Sequence, residues 1–136
     1  MIIDTSALLA ILRDEPEAQA CARAIDGTAN RRMSSANFLE AAIVIDASRD
    51  PIASRRLDDL LKVAEIAIEP VTEEQVRIGR EAYRDFGKGS GHPAQLNFGD
   101  CFAYALAKAA AEPLLFKGDD FALTDVASAI GRPSLP

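Results

Sequence analysis

Short apolar segments alternate along the chain with longer stretches whose apolar residues recur at helical spacing. The short segments are predicted β-strands, which lie at residues 1–3, 31–34, 64–71, 114–116 and 126–130. The longer stretches are predicted helices, which lie at residues 7–12, 15–26, 35–49, 54–63, 73–86 and 98–111. This alternation is typical of βαβ units, in which helices cover both faces of a mostly parallel sheet.

Particular residues mark the ends of the predicted elements. Thr5 or Ser6 could cap the first helix, and Pro16 suits the first position of the second, which Gly27 ends. Thr72 caps the fifth helix. Three glycines and a proline make residues 87–95 the clearest predicted loop.

The stretch NFGDCFAYALAKA, residues 97–109, places Asp100 in the first turn of a largely apolar helix. Asn97 and Asp100 have the spacing of a capping box, which accounts for the aspartate by local structure alone. A functional role requires that other carboxylates reach the same place.

Composition is that of one ordinary globular domain: 136 residues, 49% hydrophobic and 26% charged. No apolar run approaches the length that spans a membrane, and the N-terminus lacks the basic region of a secretory signal. Cys21 and Cys101 form no metal-binding spacing and suit a reducing compartment. We therefore expect a cytoplasmic protein. A net charge of −6 weakly disfavours a nucleic-acid binder, but acidic residues gathered around bound cations would weaken that objection.

Several acidic residues are predicted to meet at one edge of the sheet. Asp4 follows the first strand, and Asp119 and Asp120 follow the strand at residues 114–116. A crossover helix runs antiparallel to the strands, so the start of the helix that carries Asp100 lies at their carboxyl ends. In such sheets, this edge is where ligands bind.

Glu40 is the remaining candidate, because apolar residues surround it and it is the sole charge between Arg32 and Asp46. It either lies on a narrow solvated strip of its helix or points into the same pocket. Four ionised carboxylates close together repel one another unless a cation offsets the repulsion. Oxygen ligands without His or Cys favour Mg²⁺ or Mn²⁺, and the common use of such a site is phosphoryl hydrolysis.

Three segments resemble those of PIN-domain ribonucleases, in particular toxins of the VapC type from type II toxin–antitoxin systems. They are IDTSALLAIL, SSANFLEAAIVI and NFGDCFAYALAKAAAEPLLFKGDDFALTDV. The resemblance implies a single three-layer α/β/α domain over residues 1–136, with a mostly parallel sheet of about five strands. It also implies Mg²⁺- or Mn²⁺-dependent RNA cleavage, a cognate antitoxin and a homodimer.

The family's acids match Asp4, Glu40, Asp100 and one of the adjacent pair Asp119 and Asp120. Family resemblance implies that Asp4 and Asp100 bind the ion directly and that the other acids act through water or position the nucleophile. Thr5 or Ser6 could add a hydroxyl to the pocket, and Asn97 could help to fix the loop.

Two other functions compete with this one. A response-regulator receiver domain has a parallel sheet, an acidic Mg²⁺ pocket and a late lysine, as Lys117 would be. Its phosphate acceptor, however, ends a central strand, whereas Asp100 is predicted on a helix. The second alternative is a catalytically inactive binding module that has kept the PIN shape.

Several other polar residues have a structural and a functional interpretation. Lys117 could pair with Asp119 or contact a phosphate, and Asp125 could cap the last element or join the pocket. His92 could do acid–base chemistry, but it stands alone in a loop. Basic residues at helical spacing form a predicted stripe that could guide RNA or simply face solvent, namely Arg77, Arg80, Arg84 and the following Lys88.

Overall fold

A computed structural model describes residues 1–130. Its strands are β1 (Ile2–Ile3), β2 (Arg32–Ser34), β3 (Ala67–Glu69) and β4 (Leu114–Leu115). Its helices are α1 (Thr5–Leu12), α2 (Ala18–Asp26), α3 (Ser35–Asp46), α4 (Pro51–Val63), α5 (Glu73–Phe86) and α6 (Phe98–Ala110), and a 3₁₀ turn follows at Phe121–Leu123. The alternation of strands and helices is the one that the hydrophobic pattern predicts.

The four strands form one parallel sheet in the order β3-β2-β1-β4. The central strand β1 therefore has β2 on one side and β4 on the other. Ile2 is in register with Arg32 and with Leu114. Because all four strands run the same way, the segments that follow β1, β2 and β4 leave the sheet at one shared edge.

Neighbouring residues of the strands enter two different hydrophobic cores. Ile2 and Leu114 pack with α5 and α6, whereas Ile3 and Leu115 pack with α1 to α4. All four side chains are fully buried. Helices thus cover both faces of the sheet, which confirms the predicted three-layer architecture.

The last predicted strand, residues 126–130, is reduced to a single parallel bridge between Ser128 and Leu114. The sheet therefore has four strands rather than about five. A strand is defined by continuous backbone pairing with a neighbour, and an apolar pattern at the sheet edge does not guarantee that pairing. Within residues 1–130, no helix is both long and apolar enough to cross a membrane.

Helix starts differ from the prediction at three places, one of which is α4, since it begins at Pro51 rather than at residue 54. Asp4, not Thr5 or Ser6, caps α1, because its carboxylate accepts a hydrogen bond from the backbone N–H of Ser6. Helix α2 begins at Ala18, two residues after Pro16, and ends before Gly27 as predicted. Thr72 caps α5, and Asn97 and Asp100 form the complete capping box of α6.

Candidate active site

Asp4 lies at the shared carboxyl edge, directly after β1. It is 4% exposed, and its backbone N–H donates to the carbonyl of Leu115 in β4. Oδ2 of Asp4 accepts two hydrogen bonds from Ser6, one from its N–H at 3.0 Å and one from its hydroxyl at 2.5 Å. Among residues 1–130, no donor reaches Oδ1. One carboxylate oxygen is therefore held by the chain, and the other is left for a ligand.

Ser6 connects this carboxylate to the segment that follows β4. Its Oγ donates to Asp4 and accepts a hydrogen bond from the backbone N–H of Lys117 at 3.0 Å. The Lys117 side chain points elsewhere and forms ion pairs with Glu15 and Glu17. Pairing of Lys117 with Asp119, one of its two predicted roles, is therefore wrong, because Glu15 and Glu17, just before α2, bind its ammonium group.

Glu40 reaches the same site from α3. Its Oε1 accepts hydrogen bonds from the Thr5 hydroxyl at 2.6 Å and from Nδ2 of Asn37 at 3.4 Å. Nδ2 of Asn37 also donates to the backbone carbonyl of Gly99 at 3.0 Å. Glu40 therefore points into the pocket and does not lie on a solvated strip of its helix. Side chains of α1 and α3 hold it there.

Asp100 completes the group from the first turn of α6. Its Oδ2 accepts a hydrogen bond from the backbone N–H of Asn97 at 2.9 Å, and its own N–H donates to Oδ1 of Asn97. The capping interpretation is thus correct, but it does not exclude a place in the site. The cap fixes one oxygen of Asp100, and the start of α6 brings this carboxylate toward Asp4 and Glu40.

The pKa values of Asp4 and Asp100 reflect the charges of neighbouring acids. Burial, together with the charges of Asp100 and Glu40, raises the pKa of Asp4 to about 7, although the hydrogen bonds from Ser6 act in the opposite direction. Burial also raises the pKa of Asp100, as do the charges of Asp120 and Glu40, whereas a backbone hydrogen bond from Asn97 and the charge of Lys88 lower it. Asp4, Glu40 and Asp100 therefore form one electrostatic cluster, which we call the acidic site.

The two adjacent acids of the GDD turn differ in their surroundings. Asp120 contributes to the raised pKa of Asp100. Asp119 lines a different cavity, which also contains Glu17, Cys21 and Lys117. Both side chains are exposed. Of the two residues that the sequence left undecided, Asp120 is the one whose charge acts on the acidic site.

The donors of the acidic site suit a hard divalent cation, because all of them are carboxylate oxygens. The free Oδ1 of Asp4 and the raised pKa of this buried acid also fit, since a cation would stabilise the ionised form. In the described part of the chain, however, no three Asp, Glu, His or Cys side chains converge closely enough to hold an ion. The acidic site therefore offers the oxygen ligands that a divalent cation prefers, but its carboxylates stand farther apart than the ligands of a bound ion.

The predicted basic stripe divides into paired and unpaired side chains. Arg77 pairs with Glu73, and Arg84 pairs with Asp85, both on the exposed surface of α5. The side chains of Arg80 and Lys88 make no ion pair or hydrogen bond with residues 1–130. Lys88 also lowers the pKa of Asp100, so its charge reaches the acidic site.

Two of the remaining candidates have structural contacts. The ring of His92 packs edge-on against Phe86 at 4.9 Å, and its Nδ1 accepts a hydrogen bond from the Ala94 N–H. Asp125 accepts hydrogen bonds from the Tyr104 hydroxyl and from Lys108, so it binds two side chains of α6 rather than capping the last element, one of the two roles that the sequence left open.

The model of the PIN domain matches residues 1–127 of the chain. The chain belongs to the PIN-domain family. Its relatives include Ribonuclease VapC28 of Mycobacterium tuberculosis, 58% identical over 132 residues that cover 97% of this chain and 99% of the relative. Ribonuclease VapC of Mycolicibacterium smegmatis is 51% identical over 128 residues, 94% of this chain and 98% of the relative. Within the PIN family, the chain is thus a member of the VapC ribonucleases.

Solved structures share the PIN fold. VapC20 of Mycobacterium tuberculosis, described as a toxin that cleaves the sarcin–ricin loop, superposes with a TM-score of 0.71 at 12% identity, over 93% of this chain and 95% of that one. A toxin–antitoxin complex from Klebsiella pneumoniae gives 0.67 at 15% identity, over 89% of each chain. Because the chain belongs to the PIN-domain family, the receiver-domain alternative is excluded.

Sequence reasoning missed two residues of this PIN domain that contact Glu40. Asn37 precedes Glu40 by three residues, a spacing that places both on one face of α3, and this was the available signal. Gly99 precedes Asp100, but nothing local marks it, because its importance arises from the approach of α3.

Proposed function

We propose that this chain is an endoribonuclease that hydrolyses RNA phosphodiester bonds with a divalent cation, Mg²⁺ or Mn²⁺. We further propose that it acts as a toxin restrained by a cognate antitoxin. The observation that supports this most is that Asp4, Glu40 and Asp100, from three different segments of a VapC-type PIN domain, come close enough for the charge of Glu40 to act on both aspartates.

Asp4 and Asp100 are the proposed direct ligands of the cation. Each has one oxygen fixed by the chain, Asp4 by Ser6 and Asp100 by the Asn97 backbone. These contacts restrict rotation of both carboxylates and so orient the other oxygens before anything binds. When bound, the cation supplies Lewis-acid polarisation of the phosphate and promotes ionisation of the attacking water.

Glu40 and Asp120 are proposed to act next to the direct ligands. The Thr5 hydroxyl holds Glu40 with its charge close to Asp4 and Asp100, where it can accept a proton from the attacking water. Asp120 is exposed and acts on Asp100 from the GDD turn, where it can orient water. Asp119 has no proposed catalytic role, because it lines a separate cavity.

Lys88 is the proposed contact of the RNA backbone nearest to the acids. Its unpaired ammonium group is available to a phosphate, and its effect on Asp100 indicates proximity to the reacting centre. Arg80 extends this positive surface along α5. Two cations free to bind RNA explain how a chain with a net charge of −6 can hold a polyanion.

The test compares the purified wild type with Asp4→Asn and Asp100→Asn on single-stranded RNA, with Mn²⁺ or with EDTA. We expect wild-type cleavage that EDTA abolishes and that each substitution removes, with unchanged circular dichroism. Asp119→Asn is the matched control, since it also removes one acid near the site, and it should cleave as the wild type does. Cleavage by Asp4→Asn at the wild-type rate would refute the assignment.

The inactive-module alternative makes the opposite prediction in calorimetry. A binding module that has lost its chemistry would show no heat of Mn²⁺ binding in the wild type and no difference in Asp4→Asn. We expect binding in the wild type and its loss in the variant. Growth arrest on induction, relieved by Asp4→Asn, is the corresponding test of toxin action.

A further inference from the structure

We propose that Gly99 and Asn37 are positioning residues that hold Glu40 in the acidic site, so that the glycine at the start of α6 is required by the glutamate on α3. This inference rests on the proposed function for its consequence in catalysis. Its structural part concerns the contact between α3 and α6 and can be tested on the metal-free protein.

Gly99 is required by space and not by backbone conformation. The glycines with positive φ in residues 1–130 are Gly89, Gly91 and Gly118, so the backbone at Gly99 is one that any residue adopts. A methyl group built on Gly99, however, would overlap Oε2 of Glu40 and lie 2.9 Å from its Cδ. The absence of a side chain at position 99 thus makes room for this carboxylate.

Glu40 cannot move aside without losing its own contacts. Its Oε1 accepts hydrogen bonds from the Thr5 hydroxyl and from Nδ2 of Asn37, whereas Oε2 is the oxygen that a Cβ at position 99 would meet. An alanine at position 99 would push the carboxylate off these donors. The end of the side chain is flexible, so the clash is relieved by displacement of Glu40 and not by unfolding of the helix.

Asn37 joins the same contact through its amide nitrogen, Nδ2. It is fully buried, and Nδ2 donates to the Gly99 carbonyl at 3.0 Å, which ties α3 to the first turn of α6. Its Oδ1 is buried and accepts no hydrogen bond from residues 1–130. A buried acceptor left unpaired is destabilising, so this asparagine is not explained by stability alone. Its amide group is placed for the two hydrogen bonds that Nδ2 donates.

The consequence is a fixed relation between two acids on different helices. Gly99 is adjacent to Asp100, so the contact that holds Glu40 against Gly99 also fixes its distance from Asp100. The charge of Glu40 raises the pKa of both Asp4 and Asp100, as this placement requires.

The test is a double-mutant cycle of Gly99→Ala and Glu40→Ala, with thermal unfolding of the metal-free protein as the first measurement. In the Glu40→Ala background the clash is gone, and alanine is the better helix former, so Gly99→Ala should raise the melting temperature. In the wild-type background the same substitution should raise it less or lower it. Equal shifts in the two backgrounds would overturn the proposal.

Gly79→Ala is the matched control, since it also adds a methyl to a helical glycine. Gly79 lies in α5, and a Cβ there would be 3.4 Å from the carbonyl oxygen of Cys101, with the side chains of Cys101 and Ala105 as its next neighbours and not that of Glu40. Its effect on the melting temperature should be the same with and without Glu40. A dependence on Glu40 at Gly79 would show that the cycle reports general destabilisation, which would also count against the proposal.

Activity and Mn²⁺ binding provide the second measurement. Gly99→Ala should reduce RNA cleavage by the same factor as Glu40→Ala, and the double variant should lose no more than either single variant. Full activity of Gly99→Ala would refute the positioning role. If the wild type does not cleave RNA at all, the proposed function fails, whereas the melting cycle still decides whether Gly99 accommodates Glu40.

Discussion

At the scale of single residues, two aspartates of the acidic site, Asp4 and Asp100, each combine helix capping with a proposed role in metal binding. Asp4 caps α1 through Oδ2, and Oδ2 of Asp100 completes the capping box of α6, so each aspartate stabilises a helix start with one oxygen. The second oxygen of each is then available to a cation. Helix capping and metal binding are therefore compatible uses of these residues, and evidence for one is no evidence against the other.

Asp4→Asn should change how stability depends on pH. The pKa of Asp4 is about 7 in the folded chain against an ordinary value of 3.8, so the folded state binds the proton more tightly than the unfolded state. The contribution of this group to stability is therefore complete below pH 4 and is lost as the pH rises through 7, by at most about 4 kcal/mol. Asp4→Asn removes this loss.

Urea unfolding in EDTA at pH 5 and pH 8 is the measurement. The variant should gain stability relative to the wild type on going from pH 5 to pH 8. A difference between the two proteins that is the same at both pH values would contradict the prediction, since other titrating groups are common to both.

Asp120→Asn should lower the rate of RNA cleavage roughly ten- to a hundredfold, the range associated with losing a group that orients a metal site. Asp119→Asn should leave the rate near that of the wild type. Because both side chains are exposed, neither substitution should alter the melting temperature appreciably. Equal loss of activity in the two variants would contradict the assignment of Asp120, and not Asp119, to the acidic site.

At the scale of elements, the position of each acid follows from where a helix or strand begins. The sequence predicted the start of α6 correctly because Asn97 and Asp100 carry a local capping signal. It did not predict that Asp4 caps α1, since Thr5 and Ser6 are equally suitable cap residues. Only pairing with β4, which fixes the end of β1, decides among the three.

The same limit applies to contacts between elements. The apolar pattern placed Glu40 on α3, but whether this side chain faces solvent or the pocket stayed open until its contacts with Thr5, Asn37 and Gly99 were known. Residues 126–130 show the converse: an apolar pattern suggested a strand, and pairing beyond one bridge did not form. Sequence thus predicted most of the elements and the acids, whereas contacts between distant segments had to come from the structure.

Asn97→Ala should destabilise the protein by about 1 kcal/mol, the usual cost of losing a helix cap, and should also reduce cleavage. The side-chain cap holds the first turn of α6, which carries Asp100. Thr72→Ala is the control, since it removes the cap of α5 at a similar cost in stability. Chemical unfolding and RNA cleavage measured on both variants separate the effects: activity should fall only for Asn97→Ala.

At the scale of the whole molecule, several exposed apolar side chains lie together around two neighbouring grooves. Two grooves share Phe98 and Phe102, one bordered by Leu39 and Ile43 of α3 and the other by residues of α5. Phe98 is 78% exposed although it lies next to the acidic site. Exposed apolar patches of this kind are typical of protein–protein interfaces. We propose that the homodimer forms through the two grooves around Phe98 and Phe102.

Ile43→Lys should convert a dimer to a monomer in sedimentation velocity, because it places a charge in this apolar face. Ile52→Lys is the control: its side chain is similarly exposed, but it lies on α4 and outside both grooves. It should sediment as the wild type does. A wild type that is monomeric at high micromolar concentration would refute the proposed dimer.

Lys88→Gln should weaken RNA binding in a salt-dependent manner. Losing one phosphate contact on a single strand reduces the slope of log affinity against log salt by about 0.7. The measurement uses the Asp4→Asn background, so that RNA is bound without being cut. Arg77→Gln, whose side chain is already paired with Glu73, should leave the slope nearly unchanged.

The close approach of Glu40 to Gly99 has an evolutionary consequence. Alanine is favoured over glycine inside a helix, yet it becomes acceptable at position 99 only after the acid at position 40 has been lost. Alignments of homologous sequences should therefore show positions 40 and 99 changing together, with the glutamate at position 40 lost first. A residue other than glycine at position 99 would then identify homologues that keep the fold but have lost the nuclease activity.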